Sequence, residues 1–256
     1  MSNQRIDTID RHFVPVKRLE KVSEILFWVF VTLSFSLLFL EDFPIVKEWV
    51  NYVFIVVTIA YSVVSLSLGL WILPAAQGHR STNLIADSLG VALDNETTNK
   101  YYNNKQQPSL IRLGLNIFEN SLFSLKISSR MLVSERVKIC IWIVVMFIVI
   151  LSRKTSSDLI SVVAQTVFTT SLLSDYLRLE ISRFQFQRVF NESWNVFLNG
   201  IPSIDQSITG VILNLATRYE AIKSSMTVSL DTDIFKEINP SATQKWEQIK
   251  ARLNIE

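Results

Sequence analysis

The chain holds a single cysteine, Cys140, and it lies inside an apolar run. That excludes an intrachain disulfide and a cysteine zinc cluster, and the residue reads as a small hydrophobe in a helix. The six glycines stand alone at 69, 78, 90, 114, 200 and 210, so neither a phosphate-binding loop nor a dinucleotide turn is available. The two histidines, His12 and His79, flank hydrophobic segments without metal-ligand spacing or an evident nucleophile, and read as interface or surface residues. An excess of one charge is missing too: a net charge of +2 gives no ground for direct nucleic-acid binding. Glu119 with His79 is the nearest approach to an acid and histidine pair, and nothing in the sequence aligns them. The chain therefore reads as a non-enzyme, without catalytic residues, cofactor or metal.

What it has is apolar residue in concentrated form. Hydrophobic residues make up 49% of the 256, against 19% charged, and the mean hydropathy of +0.29 is high for a soluble domain. Four runs carry the excess. Ile25 to Leu40 has sixteen residues without a charge, a little short for about 30 Å of hydrocarbon. Four acidic residues in the first 24 and the lack of a small-residue cleavage site favour a retained helix over a secretory signal. No charge falls between Trp49 and Gly78, and Val50 to Leu73 holds fourteen Val, Ile, Leu or Phe residues, enough to favour insertion by about 4 to 8 kcal/mol. Ile139 to Ser152 and Leu159 to Ser174 form a second, shorter pair around the polar turn Arg153 to Asp158.

Lys and Arg divide 22 to 3 between the two sides if all four runs span. The positive-inside tendency then puts both termini and the central segment in the cytoplasm. The expected fold is an all-α membrane protein: four transmembrane helices in two hairpins, a cytoplasmic helical insert and a C-terminal helical region. Its parts are 1–24 as an N-terminal helix, 25–73 as the first hairpin, 74–136 as the insert, 137–176 as the second hairpin, and 177–256 as the cytoplasmic extension.

Within the insert, the pattern predicts helices over Thr82 to Leu93 and from Ser109 to about Leu132, with Pro108 and Ser109 as start signals. Asp158 to Asn199 reads as one long helix closed by Asn199, Gly200 and Pro202. Ile204, Ile208, Val211, Leu215, Tyr219, Ile222 and Met226 step by fours and threes, a packing seam that closes a bundle or joins subunits. Asp231 to Ile238 and Ser241 to Leu253 read as two short helices, the second with a Ser241 and Gln244 capping box.

Two residue sets are candidate sites. Thr58, Ser62, Ser65 and Gly69 in the second run, and Asp158, Ser161, Gln165 and Thr169 in the fourth, recur at helical spacing and give each helix a polar stripe. Such a stripe lines an aqueous pore formed by several subunits, or lets helices approach and hydrogen-bond across a dry interface. The amide-rich loop Asn95 to Gln107 offers Tyr101 and Tyr102 as stacking faces and Asn103 and Asn104 as hydrogen-bonding groups. With Arg80, Lys100, Lys105 and Arg112 it is a candidate site for a phosphorylated ligand.

The layout resembles the SLATT superfamily in its four-transmembrane bacterial form. The resemblance rests on the polar first helix, the first hairpin, the insert after Leu73, the second hairpin and the helix continuing into Arg178 to Leu198. The segments ALDNETTNKYYNN from Ala92 and RLGLNIFENSLFSLKI from Arg112 add to it. It implies a pore-forming effector of bacterial antiviral defence: a homo-oligomer in the inner membrane, coupled to a nucleotide second messenger or a nucleotide-sensing partner protein. A membrane-anchored scaffold recruiting a cytoplasmic partner is the alternative.

Overall fold

The computed structural model describes residues 6–37, 40, 42–93, 95, 98–99, 104, 106–151 and 172–255. The protein is all-helical. A 3-10 turn, Ile9–His12, leads into α1 (Phe13–Ser36), followed by α2 (Pro44–Ser67) and α3 (Leu73–Leu89). Beyond a loop come α4 (Leu110–Leu151), α5 (Leu172–Val196), α6 (Gln206–Ser225) and α7 (Thr232–Leu253). The extended pairing among the described residues is two residues long, Ile6–Asp7 against Thr98–Asn99.

α2 and α3 are not separate helices. A π-helical turn, Leu68–Ile72, joins them, with the Leu73 N–H donating to the Leu68 carbonyl five residues back, and the result is an unbroken 46-residue helix, Pro44–Leu89. The cause is Pro74, which brings no N–H and crowds the carbonyl four residues earlier; widening the preceding turn relieves that crowding without ending the helix. A shorter helix starting near Thr82 is therefore corrected: this helix begins far upstream and ends at Leu89. Gly90, at φ 68°, caps it in the left-handed region, and the Val91 N–H closes a bond to the Ala86 carbonyl.

The second helix of the insert is also longer than its pattern predicts. α4 starts at Leu110, with the Ser109 hydroxyl accepting from the Arg112 N–H at 3.2 Å, and continues past Leu132 to Leu151. Likewise α7 is one helix rather than two, with Pro240 inside it. Ser241 donates its hydroxyl to the Ile238 carbonyl and does not cap a new helix; the cap is Asp231, which accepts from the Asp233 and Ile234 N–H groups.

The main core lies where α4, α5, α6 and α7 meet. Phe118 is fully buried at its centre, with Phe190, Trp194, Phe197 and Trp246 around it at ring-centroid distances of 5.2 to 6.3 Å. Small residues let the backbones close up: Ser121, Ser124, Ser128, Ser182 and Ser193 are buried, and a Cβ on Gly114 would meet Phe197 at 3.1 Å. The α6 seam faces this core through Leu215, Tyr219, Ile222 and Met226, with Ile212 buried in place of Val211 and Ile204 exposed. The seam thus closes an intramolecular bundle.

Away from the bundle, α1 packs on α2. Pro44–Leu89 is the one helix among the described residues that is long and apolar enough to cross a bilayer, and only 11% of its most apolar stretch is buried in protein. That low burial distinguishes it from a soluble core helix, whose apolar residues would be covered. The charge-free parts of α1 and α4, Ile25–Ser36 and Ile139–Leu151, run about 18 and 20 Å at 1.5 Å per residue, short of the ~30 Å of hydrocarbon. The fourth run, up to Ser171, lies outside the described residues.

Side-chain packing sets the register of α1 on α2. Tyr61 lies beside Ser23, and Val16 packs with Leu68, Leu73 and Ala76. Lys17, Arg18, Glu20, Lys21 and Glu24 therefore stand level with the α2 segment from Tyr61 to Ile72. On that segment Val63, Leu66, Leu70 and Trp71 are exposed.

Candidate functional site

A cavity of about 800 Å³ opens between the N-terminal turn, α1, α3, α4, α6 and α7. Three cations line it, Arg80 from α3, Lys223 from α6 and Lys236 from α7, with two acids, Asp10 and Glu119. The size is that of a small-molecule site.

Each wall follows from local structure. Gln77 and Arg80 sit three residues apart on α3, hence on one face, and both line the cavity. Arg80 lies over the Phe13 ring at 5.6 Å. Gln77 is 8% exposed, and its side-chain carbonyl has no hydrogen-bond partner. On α4, Ser124 exchanges a 3.0 Å hydrogen bond with the Tyr219 hydroxyl and fixes α6 against it. One turn on, the Lys223 side chain is 13% exposed. Its ammonium lies over the Tyr219 ring at 5.4 Å and donates to both Glu220 oxygens at 3.4 Å, the long edge of hydrogen bonding. Burial pushes the Lys223 amine below its usual range, Arg80 adds to the push, and Glu220 opposes it in part.

The candidate ligand residues divide. Arg80 faces the cavity, whereas Arg112 is held in a two-pronged ion pair, one guanidinium nitrogen reaching both Asp87 oxygens at 2.9 Å. Asn104 donates to the Asn116 side-chain oxygen at 3.1 Å, and Asn116 donates to the Ser88 hydroxyl at 2.9 Å. Arg112 and Asn104 thus belong to a polar network fastening the loop onto α3 and α4. Lys100, Tyr101, Tyr102, Asn103 and Lys105 lie outside the described residues.

The polar stripe of α2 is half-buried at Thr58, Ser62, Ser65 and Gly69. Thr58 donates its hydroxyl to the Phe54 carbonyl at 2.7 Å and Ser62 to the Thr58 carbonyl at 2.8 Å, so both are satisfied within their own helix. Space around Gly69 is open. Asp158, Ser161, Gln165 and Thr169 lie outside the described residues. His12 and His79, far apart in sequence, stack with ring centroids 3.9 Å apart at an angle of 14°, and among the described residues no group of three potential ligands could hold a metal ion.

No family model, curated protein or solved structure matches the chain.

Sequence reasoning missed Gln77, Lys223 and Lys236, which come from three helices with no shared spacing. A signal existed for two of them. Gln77 is an amide inside the charge-free run that ends at Gly78, and Lys223 sits directly beside the apolar seam at Ile222.

Proposed function

We propose that the protein is a membrane effector that permeabilises or depolarises the bacterial inner membrane when activated, as the SLATT resemblance implies. In this proposal four helices span in two hairpins, both termini are cytoplasmic, and copies of the chain assemble as a homo-oligomer. Activation comes from a nucleotide second messenger or a nucleotide-sensing partner protein, in anti-phage defence.

One observation carries the proposal beyond the resemblance: the level of α2 where Val63, Leu66, Leu70 and Trp71 are exposed is also the level where α1 exposes Arg18, Lys21 and Glu24. A single helix pair with an apolar face and a charged face at one depth suits neither lipid nor water alone. Ringed copies satisfy both, with α2 toward lipid and α1 toward an aqueous path. The helices that reach the cavity, α3 and α4, continue without a break from α2 and into Leu151, so a change at the cavity is transmitted mechanically. An activator must bind the open arrangement more tightly than the closed one.

Inducible expression in bacteria with a membrane-potential dye and a small impermeant dye tests this. Loss of potential is expected, altered in ion selectivity by Lys21→Glu and weakened by Gln165→Leu at equal protein level. Full expression with an intact potential under every activating condition overturns it. One observation favours the membrane-anchored scaffold instead: Thr58 and Ser62 spend their hydroxyls on their own backbone, which satisfies them without water. Capture of a cytoplasmic partner by a chain that never permeabilises would establish that alternative.

A further inference from the structure

The cavity's lining is not that of a packing defect. Packing defects are apolar and dry, whereas here a buried amide carbonyl is left without a donor, and a buried amine holds its acid, Glu220, only at the 3.4 Å edge of hydrogen bonding. Each is a cost that a bound molecule lowers, since a buried polar group without a good partner keeps its desolvation penalty. What removes both costs has an anionic group for Lys223 and Arg80 and an N–H donor for Gln77. Glu119, 4% exposed on the same lining, adds a second acceptor and so favours an N–H-rich ring over a purely anionic ligand. Flat apolar surfaces are present as well. Phe123 and Phe235 lie 5.9 Å apart at 44°, and Phe13 carries the Arg80 guanidinium on its face.

We infer that this cavity is the regulatory site of the protein and takes a nucleotide-sized organic phosphate, its phosphate held by Lys223 and Arg80 and an amino N–H of its base by Gln77. This rests on the effector proposal only for the word regulatory. The binding chemistry is independent of it. The site lies apart from Arg112 and Asn104, which already hold the fold together.

The test uses the full chain in nanodiscs, with AMP as probe and inorganic phosphate and adenosine as its two halves, read by equilibrium dialysis and thermal shift. AMP is expected to bind and to raise the melting temperature. Lys223→Met is expected to weaken AMP and phosphate by about tenfold or more, the loss of a hydrogen bond to a charged group, while leaving adenosine unchanged. Gln77→Leu is expected to weaken AMP and adenosine but not phosphate. Lys223→Met removes a buried charge of similar volume, so it folds at least as well as the wild type, and circular dichroism checks that. No binding of AMP at millimolar concentration, or binding that Lys223→Met leaves unchanged, overturns the assignment. Because the assay needs no permeabilised cell, binding can fail while the effector proposal stands, and the effector proposal can fail while binding stands.

Discussion

Trp246 and Trp71 are the same residue put to opposite uses. In the bundle Trp246 is 1% exposed and packs edge-on against Phe118, whereas on the long helix Trp71 is 76% exposed beside the equally bare Leu70. The bundle holds its aromatics on single helix faces, with serines and Gly114 between them so that backbones can approach. The α2 helix carries apolar residues on nearly every face and leaves them uncovered. The difference teaches that the hydrophobic effect organises one end of this molecule internally, while at the other end the apolar surface is left facing outward.

The comparison breaks most severely at Phe118. Phe118→Ala empties the centre of the aromatic cluster and is expected to cost about 3 to 5 kcal/mol. Denaturant unfolding followed by near-ultraviolet circular dichroism in detergent would report it. Membrane extraction should remain unchanged, since no residue of α2 rests on that ring. A loss of both together would show that the two ends fold as one unit.

A smaller effect is expected at Gly90, whose φ of 68° is left-handed and whose Cβ, if present, would lie 2.7 Å from Pro108. Gly90→Ala should cost about 1 to 3 kcal/mol from strain and overlap, read as a lower denaturation midpoint with an unchanged slope. An unchanged midpoint would mean that the loop after α3 adapts freely.

Lys223 gives a pH dependence whose sign is fixed. Its folded-state pKa is lowered by burial, so between that value and the ordinary lysine value near 10.5 the unfolded chain binds more protons than the native one. Stability in the absence of ligand should therefore rise with pH through that window. Lys223→Met should be more stable at neutral pH and should flatten the rise. A slope the variant leaves intact would assign the effect to other groups.

The smallest effect belongs to the exposed end. Trp71→Ser should change the stability of the bundle by less than about 0.5 kcal/mol, yet weaken retention by liposomes. If the bundle loses stability instead, Trp71 is covered in the native assembly and the contrast with Trp246 narrows.

Helices, and several of their ends, are legible in the residues. Ser109 does start a helix, and the α6 seam is found at Leu215, Tyr219, Ile222 and Met226, with Ile212 replacing Val211 and Ile204 left exposed. Prolines mislead most. The boundary expected after Leu73 and the gap expected between Ile238 and Ser241 fall at Pro74 and Pro240, yet both prolines lie inside unbroken helices, and such tolerance leaves little trace in local pattern. The cavity is illegible for a different reason. Gln77, Glu119, Lys223 and Lys236 come from four helices, and only folding gives them a common address. Arg112 is legible as a cation, but its bond to Asp87 is not, because charge is read from the sequence and its partner only from packing.

The π-helical turn at Leu68–Ile72 holds one residue more than an α-helical turn would. One residue corresponds to about 100° of rotation around the helix axis. The turn therefore sets the phase between Trp49 at one end and Gln77 and Arg80 at the other, much as a coupling sets two shafts at an angle. Rewinding it to ordinary α-helix would turn the cavity wall relative to Trp49 and its neighbours. The angle between the exposed apolar surface and the cavity wall is thus written into one five-residue turn.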